Sequence, residues 1–271
     1  MTVFYAAAEI PEGQGSRGML VLGWWAAVGA PAVWAMDAVW RPFTPVATIP
    51  SELRVGVGGQ WGVVPPFWAA DRDRSQAELE GVWRPGPGLQ LELDVTALRD
   101  RYPSGLEARG WGDITLGTWA RLARAPSGAG LHLGWRVKLP NATDGDELGT
   151  DETDVVALIA GHAPLGPLTL GLTGGLAILG DPLQFANQDD IGLSWATATL
   201  PVGPVVVSGR AGGAWPTGRN PGRLEAGLGV EGQCPWLFGG EATAGLSPAA
   251  PDWGLRAWAG WGWGCPRPDR D

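Results

Sequence analysis

The chain has 271 residues, a formal net charge of −9 and a single lysine, Lys138, so it has no basic footprint for a nucleic-acid partner. With 44 glycines and 17 tryptophans against 17% charged residues, a mainly helical fold is excluded, because each helical glycine costs about 1 kcal/mol relative to alanine. A closed sheet tolerates glycine where strands bend or an interior must stay open.

Residues 1–35 read as a signal peptide with an N-terminal extension. Arg17 precedes the apolar run Met19 to Val28, and Val33 and Ala35 suit a small-residue cleavage site. The acidic stretch 1–16 is foreign to such signals, which places the true start near Met19. A retained helical anchor is the alternative, disfavoured by Pro31 and the shortness of the run. Residues 36–52 are expected to form a periplasmic segment, and no later stretch is long and apolar enough to span a membrane as a helix.

From residue 53 onward the chain reads as twelve strands. They are 53–62, 77–85, 89–97, 111–124, 131–139, 155–163, 168–179, 191–200, 205–215, 223–232, 237–246 and 253–264. The third and fifth carry the clearest pattern. Leu89-Gln90-Leu91-Glu92-Leu93-Asp94-Val95 and Leu131-His132-Leu133-Gly134-Trp135-Arg136-Val137-Lys138-Leu139 alternate apolar and polar or small positions, so one strand face is greasy and the other polar. The sixth does not declare its faces. A polar tail, 265–271, follows the last strand.

Connections alternate between long (near 62–76, 102–110, 140–154, 180–190, 216–222 and 247–252) and tight (Gly86-Pro87-Gly88, Ala125 to Gly128, Pro164 to Pro167, Pro201 to Pro204, Gln233 to Trp236). Short turns at one end and longer loops at the other, over an even number of strands, is the layout of an outer-membrane barrel. A soluble sandwich shows the same alternation. Strands of about ten residues, charge along the whole polar face and tryptophan near strand ends favour the barrel. Trp61, Trp111, Trp215 and Trp253 fall at the outer rim in this layout, and Trp83, Trp261 and Trp263 at the periplasmic rim. The fold class is therefore all-β, an up-and-down antiparallel transmembrane barrel of twelve strands (53–264).

The polar faces supply the candidate pore-lining residues: Arg54, Glu78, Glu80, Arg84, Glu92, Asp94, Asp113, Arg121, His132, Arg136, Lys138, Arg210, Glu225, Glu241 and Arg256. Catalytic readings are weaker. His132 has no serine at the spacing of a barrel phospholipase, and His162 sits at a strand end before Ala163-Pro164. The pairs Glu78/Glu80 and Glu92/Asp94 each share a strand face and suit an ion-paired lining better than an acid/base dyad. The acidic loop 141–154 lacks the glycine of a calcium loop and reads as solvated. No catalytic residue, cofactor or metal is expected.

Cys234, in the turn before strand eleven, and Cys265, just after strand twelve, come to the same rim of an up-and-down barrel, which predicts a disulfide in the oxidising periplasm.

Two stretches carry a resemblance. Gly110-Trp111-Gly112-Asp113-Ile114-Thr115-Leu116-Gly117 is similar to a G-x-G-D-(I/L/V)-T-L-G segment. Arg136-Val137-Lys138-Leu139-Pro140, then Leu148-Gly149-Thr150 and Asp154, resembles a K-L-P-T-G … L-G-(S/T)-G … D hairpin, and Gly180-Asp181-Pro182 falls where a similar turn is common. Both belong to outer-membrane barrels of the phenol-degradation (meta-pathway) transporter-like group, and the resemblance covers about 77–182. Asn141 stands where threonine is usual and Asp151 where the second loop glycine is usual. The resemblance implies a channel, in some members linked to hydrophobic or aromatic compounds, without fixing the substrate.

The function expected is passive passage of small solutes, with outer-membrane lipid and lipopolysaccharide as surroundings, and with export through the periplasm. The alternative is a plugged barrel that serves as a structural or partner-binding subunit.

Overall fold

In the computed structural model, the described residues are 51–63, 72–86, 88–141, 153–178, 190–216, 222–232 and 235–263. They form twelve antiparallel strands: β1 (Ser51–Val63), β2 (Arg72–Gly86), β3 (Leu89–Arg101), β4 (Glu107–Arg124), β5 (Gly130–Leu139) and β6 (Asp154–Leu165) lead. There follow β7 (Leu168–Ile178), β8 (Ile191–Val202), β9 (Val205–Pro216), β10 (Arg223–Gly232), β11 (Trp236–Gly245) and β12 (Trp253–Trp263). Each strand pairs with its sequence neighbours, and β1 pairs with β12 from Ser51↔Trp263 to Trp61↔Trp253. The barrel is closed. Closure leaves no unpaired sheet edge, the condition for a strand to sit in lipid.

Burial decides between barrel and sandwich. Along β5, Leu133 and Trp135 are 43% and 47% exposed while Arg136 and Lys138 are 5% and 0% exposed. On β3 the apolar Leu93 is exposed and Asp94 is buried. A water-soluble sandwich buries its apolar face. Here the apolar face points out and the charged face points in, which is stable only when the outer solvent is hydrocarbon.

Tight turns close the even-to-odd connections. Gly128, Gly166 and Gly203 sit in them at φ of 89°, 61° and 58°, a left-handed backbone that glycine adopts without a Cβ clash. The opposite rim differs from expectation at two connections: β2 already begins at Arg72, inside the connection expected near 62–76, and the β3–β4 hairpin is tighter. The connection near 102–110 shortens to a turn at 102–106, closed by Tyr102 N–H to Leu106 O at 3.0 Å and Gly105 N–H to Tyr102 O at 2.9 Å. Strands β3 and β4 extend into it, braced by Arg99–Glu107 across the ladder and by the buried Arg74–Asp100 pair beside it. The connection 247–252 folds back on β10: Ser247 Oγ accepts from Leu224 N–H and donates to Gly222 O, both at 2.9 Å.

The expected signal peptide, residues 36–50 of the expected periplasmic segment, residues 142–152 of the acidic loop, the tail 265–271 and both cysteines lie outside the described residues, while Ser51 and Glu52, the last two of that segment, open β1. The chain beside the cysteines is joined, since Gly262 N–H donates to Pro235 O at 2.9 Å and Trp236 pairs with Trp261.

Candidate functional site, the barrel interior

Alternation sends every second residue inward, and the register lines those residues up around the wall. The interior divides into two arcs. One is charged and runs from β9 through β12 and β1 to β5. The other is apolar, on β6 to β9 with Trp119 of β4: Val156, Leu158, Ala160, Ala177, Ile191, Leu193 and Ala214 pack as one cluster, each at most 5% exposed. The apolar arc fills one side of the interior and displaces open volume toward the charged side.

Three of the charged contacts share a design. Arg136 of β5 meets Glu92 of β3 at 3.0 Å across β4, where Gly117 is the register partner of both. Arg210 of β9 pairs with Glu241 of β11 across β10, at Gly227. Arg256 of β12 reaches Glu78 and Glu80 of β2, at 2.8 and 3.3 Å, across β1 at Gly56. Each guanidinium also lies over an indole: Arg136 on Trp119, Arg210 on Trp195 and Arg256 on Trp258, 5.2–5.8 Å from the ring centres.

The bridged strand must stay low beneath the ion pair. A Cβ on Gly227 would stand 2.8 Å from Glu241 Oε1 and 3.2 Å from Arg210 Nε, and one on Gly117 would stand 2.7 Å from Glu92 Oε2. Gly227→Val is therefore expected to push the Arg210–Glu241 pair apart and to lower stability by about 1–3 kcal/mol, the usual cost of overpacking. Urea titration of the folded barrel in detergent checks this; a change within error would mean that the pair relaxes freely.

Arg54 makes the longest reach. It contacts Glu52 on its own strand and Glu231 of β10, both at 3.0 Å. Two strands, β12 and β11, separate β1 from β10, about 14 Å along the wall at the usual strand spacing. The contact thus runs as a chord through the interior rather than along it.

Two polar cavities follow the charged arc. One, about 70 Å³, is lined by Gln60, Gln76, Trp195, Arg210, Arg223, Glu225, Glu241 and Arg256 among others. The second, about 170 Å³, lies toward the short-turn rim, with Glu52, Arg54, Arg84, Glu92, Arg136, Glu231, Trp258 and the hydroxyls of Thr197, Thr199 and Ser208 in its wall. Arg210, Glu241 and Arg256 line both. The two cavities therefore meet at one layer of ion pairs.

All fifteen residues expected from the sequence to line a pore belong to the inward-facing set, yet they fall into two kinds. Arg54, Glu80, Arg84, Glu92, Arg136, Arg210, Glu225, Glu241 and Arg256 border the two cavities. Asp113 and Lys138 do not: with Asp154 they form a triad that is 0–1% exposed, Lys138 Nζ lying 2.6 Å from Asp154 Oδ2 and 3.5 Å from Asp113 Oδ2. Glu78 and Asp94 are buried in the wall. Arg121 and His132 stand opposite one another near the short-turn rim.

His132 and His162 come together, their rings 5.2 Å apart. Their cross-strand partners are Arg121, Ala160, Gly130 and Gly171, none of which supplies a hydroxyl nucleophile. Glu78, Glu80 and Asp94 bring carboxylate oxygens within 4.8 Å of one another. Such a set suits a cation, and the Arg256 guanidinium already places positive charge against two of its members.

Several interior residues escaped the sequence reading. Arg223 and Glu231 have the same parity as Glu225 on β10, so the signal was present in the alternation. Trp195 and Trp258 carried no such signal, because indole at a strand position reads first as a membrane-interface residue.

No family model matches the chain, and no curated protein matches its sequence. Solved structures do match. An outer-membrane channel from Pseudomonas putida F1 is 12% identical, with a TM-score of 0.63 over 82% of this chain and 100% of that one. The NanC porin is 7% identical, with a TM-score of 0.54 over 78% of this chain and 98% of its own. The KdgM porin is also 7% identical, with a TM-score of 0.50 over 77% and 98%. At these identities the likeness establishes the fold, that of outer-membrane barrels.

Proposed function

We propose that this barrel is a passive channel for small solutes in the bacterial outer membrane. The observation that carries the reading is the pair of polar cavities meeting at the Arg210–Glu241–Arg256 layer, on the side of the interior left open by the apolar arc. The three similar structures, named as a channel and two porins, support it. The tight turns then face the periplasm and the longer connections face outward.

Folded protein in planar bilayers is expected to give discrete conductance steps in potassium chloride. Arg136→Gln removes one positive charge from the wall of the larger cavity. At about 6 Å in a water-like dielectric that is worth about 0.7 kcal/mol, so the cation-to-anion permeability ratio rises about threefold. An unchanged reversal potential would take Arg136 out of the conduction path.

Two other readings have observations in their favour. The Arg54–Glu231 chord and the packed apolar arc suit a plugged barrel, and silence of the folded protein in bilayers would select that reading. The apolar arc also suits hydrophobic or aromatic solutes, but its cluster residues border neither of the two cavities.

We propose in addition that Cys234 and Cys265 form a disulfide, supported by the hydrogen-bonded chain beside them. Its loop would contribute about 3–4 kcal/mol by the chain-entropy estimate. Unreduced, denatured protein is expected to take up no maleimide until dithiothreitol is added; labelling of both thiols without it sinks the bridge.

A further inference from the structure

The walls of the two cavities carry both signs in balance. Five arginines face five glutamates around the larger one. Around the smaller, Arg210, Arg223 and Arg256 face Glu225 and Glu241, and Glu78 sits 2.8 Å from Arg256 just behind. The like-signed group beside this path, Glu78, Glu80 and Asp94, is met by Arg256 at 2.8 and 3.3 Å. The charges are also loosely shared at two points: Arg210 is 3.7 Å from Glu225 in addition to its closer bond to Glu241, and Arg84 is 3.8 Å from Glu52.

Such a wall sorts solutes by how their charge is arranged. A simple ion must shed water against a lining that offers no net opposite charge, and it strands one wall group of each pair it breaks. A neutral polar solute competes with charge-assisted bonds about twice as strong as its own. A zwitterion avoids both costs. Its carboxylate takes the place of Glu241 or Glu92 on a guanidinium, while its ammonium takes the carboxylate so released. One wall pair is opened and two solute contacts replace it, so no wall charge is left stranded.

We infer that the preferred solutes of this channel are small zwitterions carrying a carboxylate and an ammonium or quaternary ammonium group a few ångströms apart. The larger cavity, about 170 Å³, is on the scale of the smaller amino acids and betaines. The inference rests on the channel reading above.

The test compares glycine with glycolamide, its uncharged isomer, and with potassium lactate, in swelling of vesicles containing the folded protein. Potassium chloride conductance is measured on the same preparation. Glycine is expected to enter about tenfold faster than glycolamide, the ratio set by one differential contact of about 1.4 kcal/mol. Glu241→Gln is expected to abolish most of that advantage and to speed lactate, because it leaves Arg210 in excess. The double variant Arg210→Gln with Glu241→Gln restores balance without charge, and is expected to bring glycine entry down to that of glycolamide.

Equal entry of glycine and glycolamide through a conducting barrel overturns the zwitterion preference and leaves the channel standing. Absence of conductance from folded protein overturns both. Folding of each variant is read from the heat-dependent gel shift of closed barrels. If Glu241→Gln does not fold, the wild-type comparison of the two isomers decides alone.

Discussion

Replacing Lys138 with methionine is expected to cost about 3–5 kcal/mol of stability, the range for removing one partner from a buried ion pair. Lys138 is the only lysine of the chain and is fully buried between Asp113 and Asp154, themselves 1% and 0% exposed. Asp113 also accepts a hydrogen bond from the backbone N–H of Asn141, at 3.1 Å, so it fastens the end of β5 to β4. Methionine keeps the length of the side chain and deletes the charge, leaving two carboxylates facing each other out of water. The triple variant K138M/D113N/D154N is expected to recover most of the loss, because no net charge then stays buried. Urea titration of the folded barrel in detergent reads both. A cost for K138M below about 1 kcal/mol, the level of an exposed pair, would mean that water reaches the triad.

The second large effect is on the outer face. Leu93→Arg is expected to destabilise by about 2–4 kcal/mol near the bilayer midplane, whereas a lumen position tolerates the same side chain far better. Leu93 points outward, 40% exposed, in the middle of β3. Gln76, inward on β2 in the wall of the smaller cavity, serves as the control. Its replacement by arginine puts a cation into a polar wall of mixed charge and should cost about 1 kcal/mol or less. Equal penalties at the two positions would contradict the inside-out assignment of the strand faces.

Much of this architecture was legible because lipid demands a simple code. In β3 and β5, Leu-x-Leu-x-Leu and Leu-x-Leu-x-Trp set against Glu92, Asp94, Arg136 and Lys138 fix which face meets hydrocarbon, and the tight turns fix the strand count. The code fails where both faces are apolar. In β6, Val155, Ala157 and Ile159 face out while Val156, Leu158 and Ala160 face in, and no alternation marks the difference. Pairing is a second blind spot. Parity places Arg54 and Glu231 on the inner face, but only closure of the barrel puts β1 within reach of β10. The hairpin at 102–106 was misjudged for a third reason: Arg99, Arg101, Glu107 and Arg109 read as loop residues, yet they are the exposed rungs of a ladder that continues past the apolar band.

The apolar inner arc has a consequence for the unfolded chain in water. Most strands of this barrel are half wettable, and an unfolded copy in water can turn that half outward. The stretch from Asp154 to Leu200 cannot, since β6 and much of β7 and β8 carry apolar or glycine residues on both sides. In water this stretch is the sticky part of the unfolded polypeptide, with high strand propensity and, over 155–180 and 191–200, no charged residue to keep neighbouring copies apart. Refolding from urea should in turn lose most material to aggregates seeded by this stretch, unless detergent is present before the denaturant is removed.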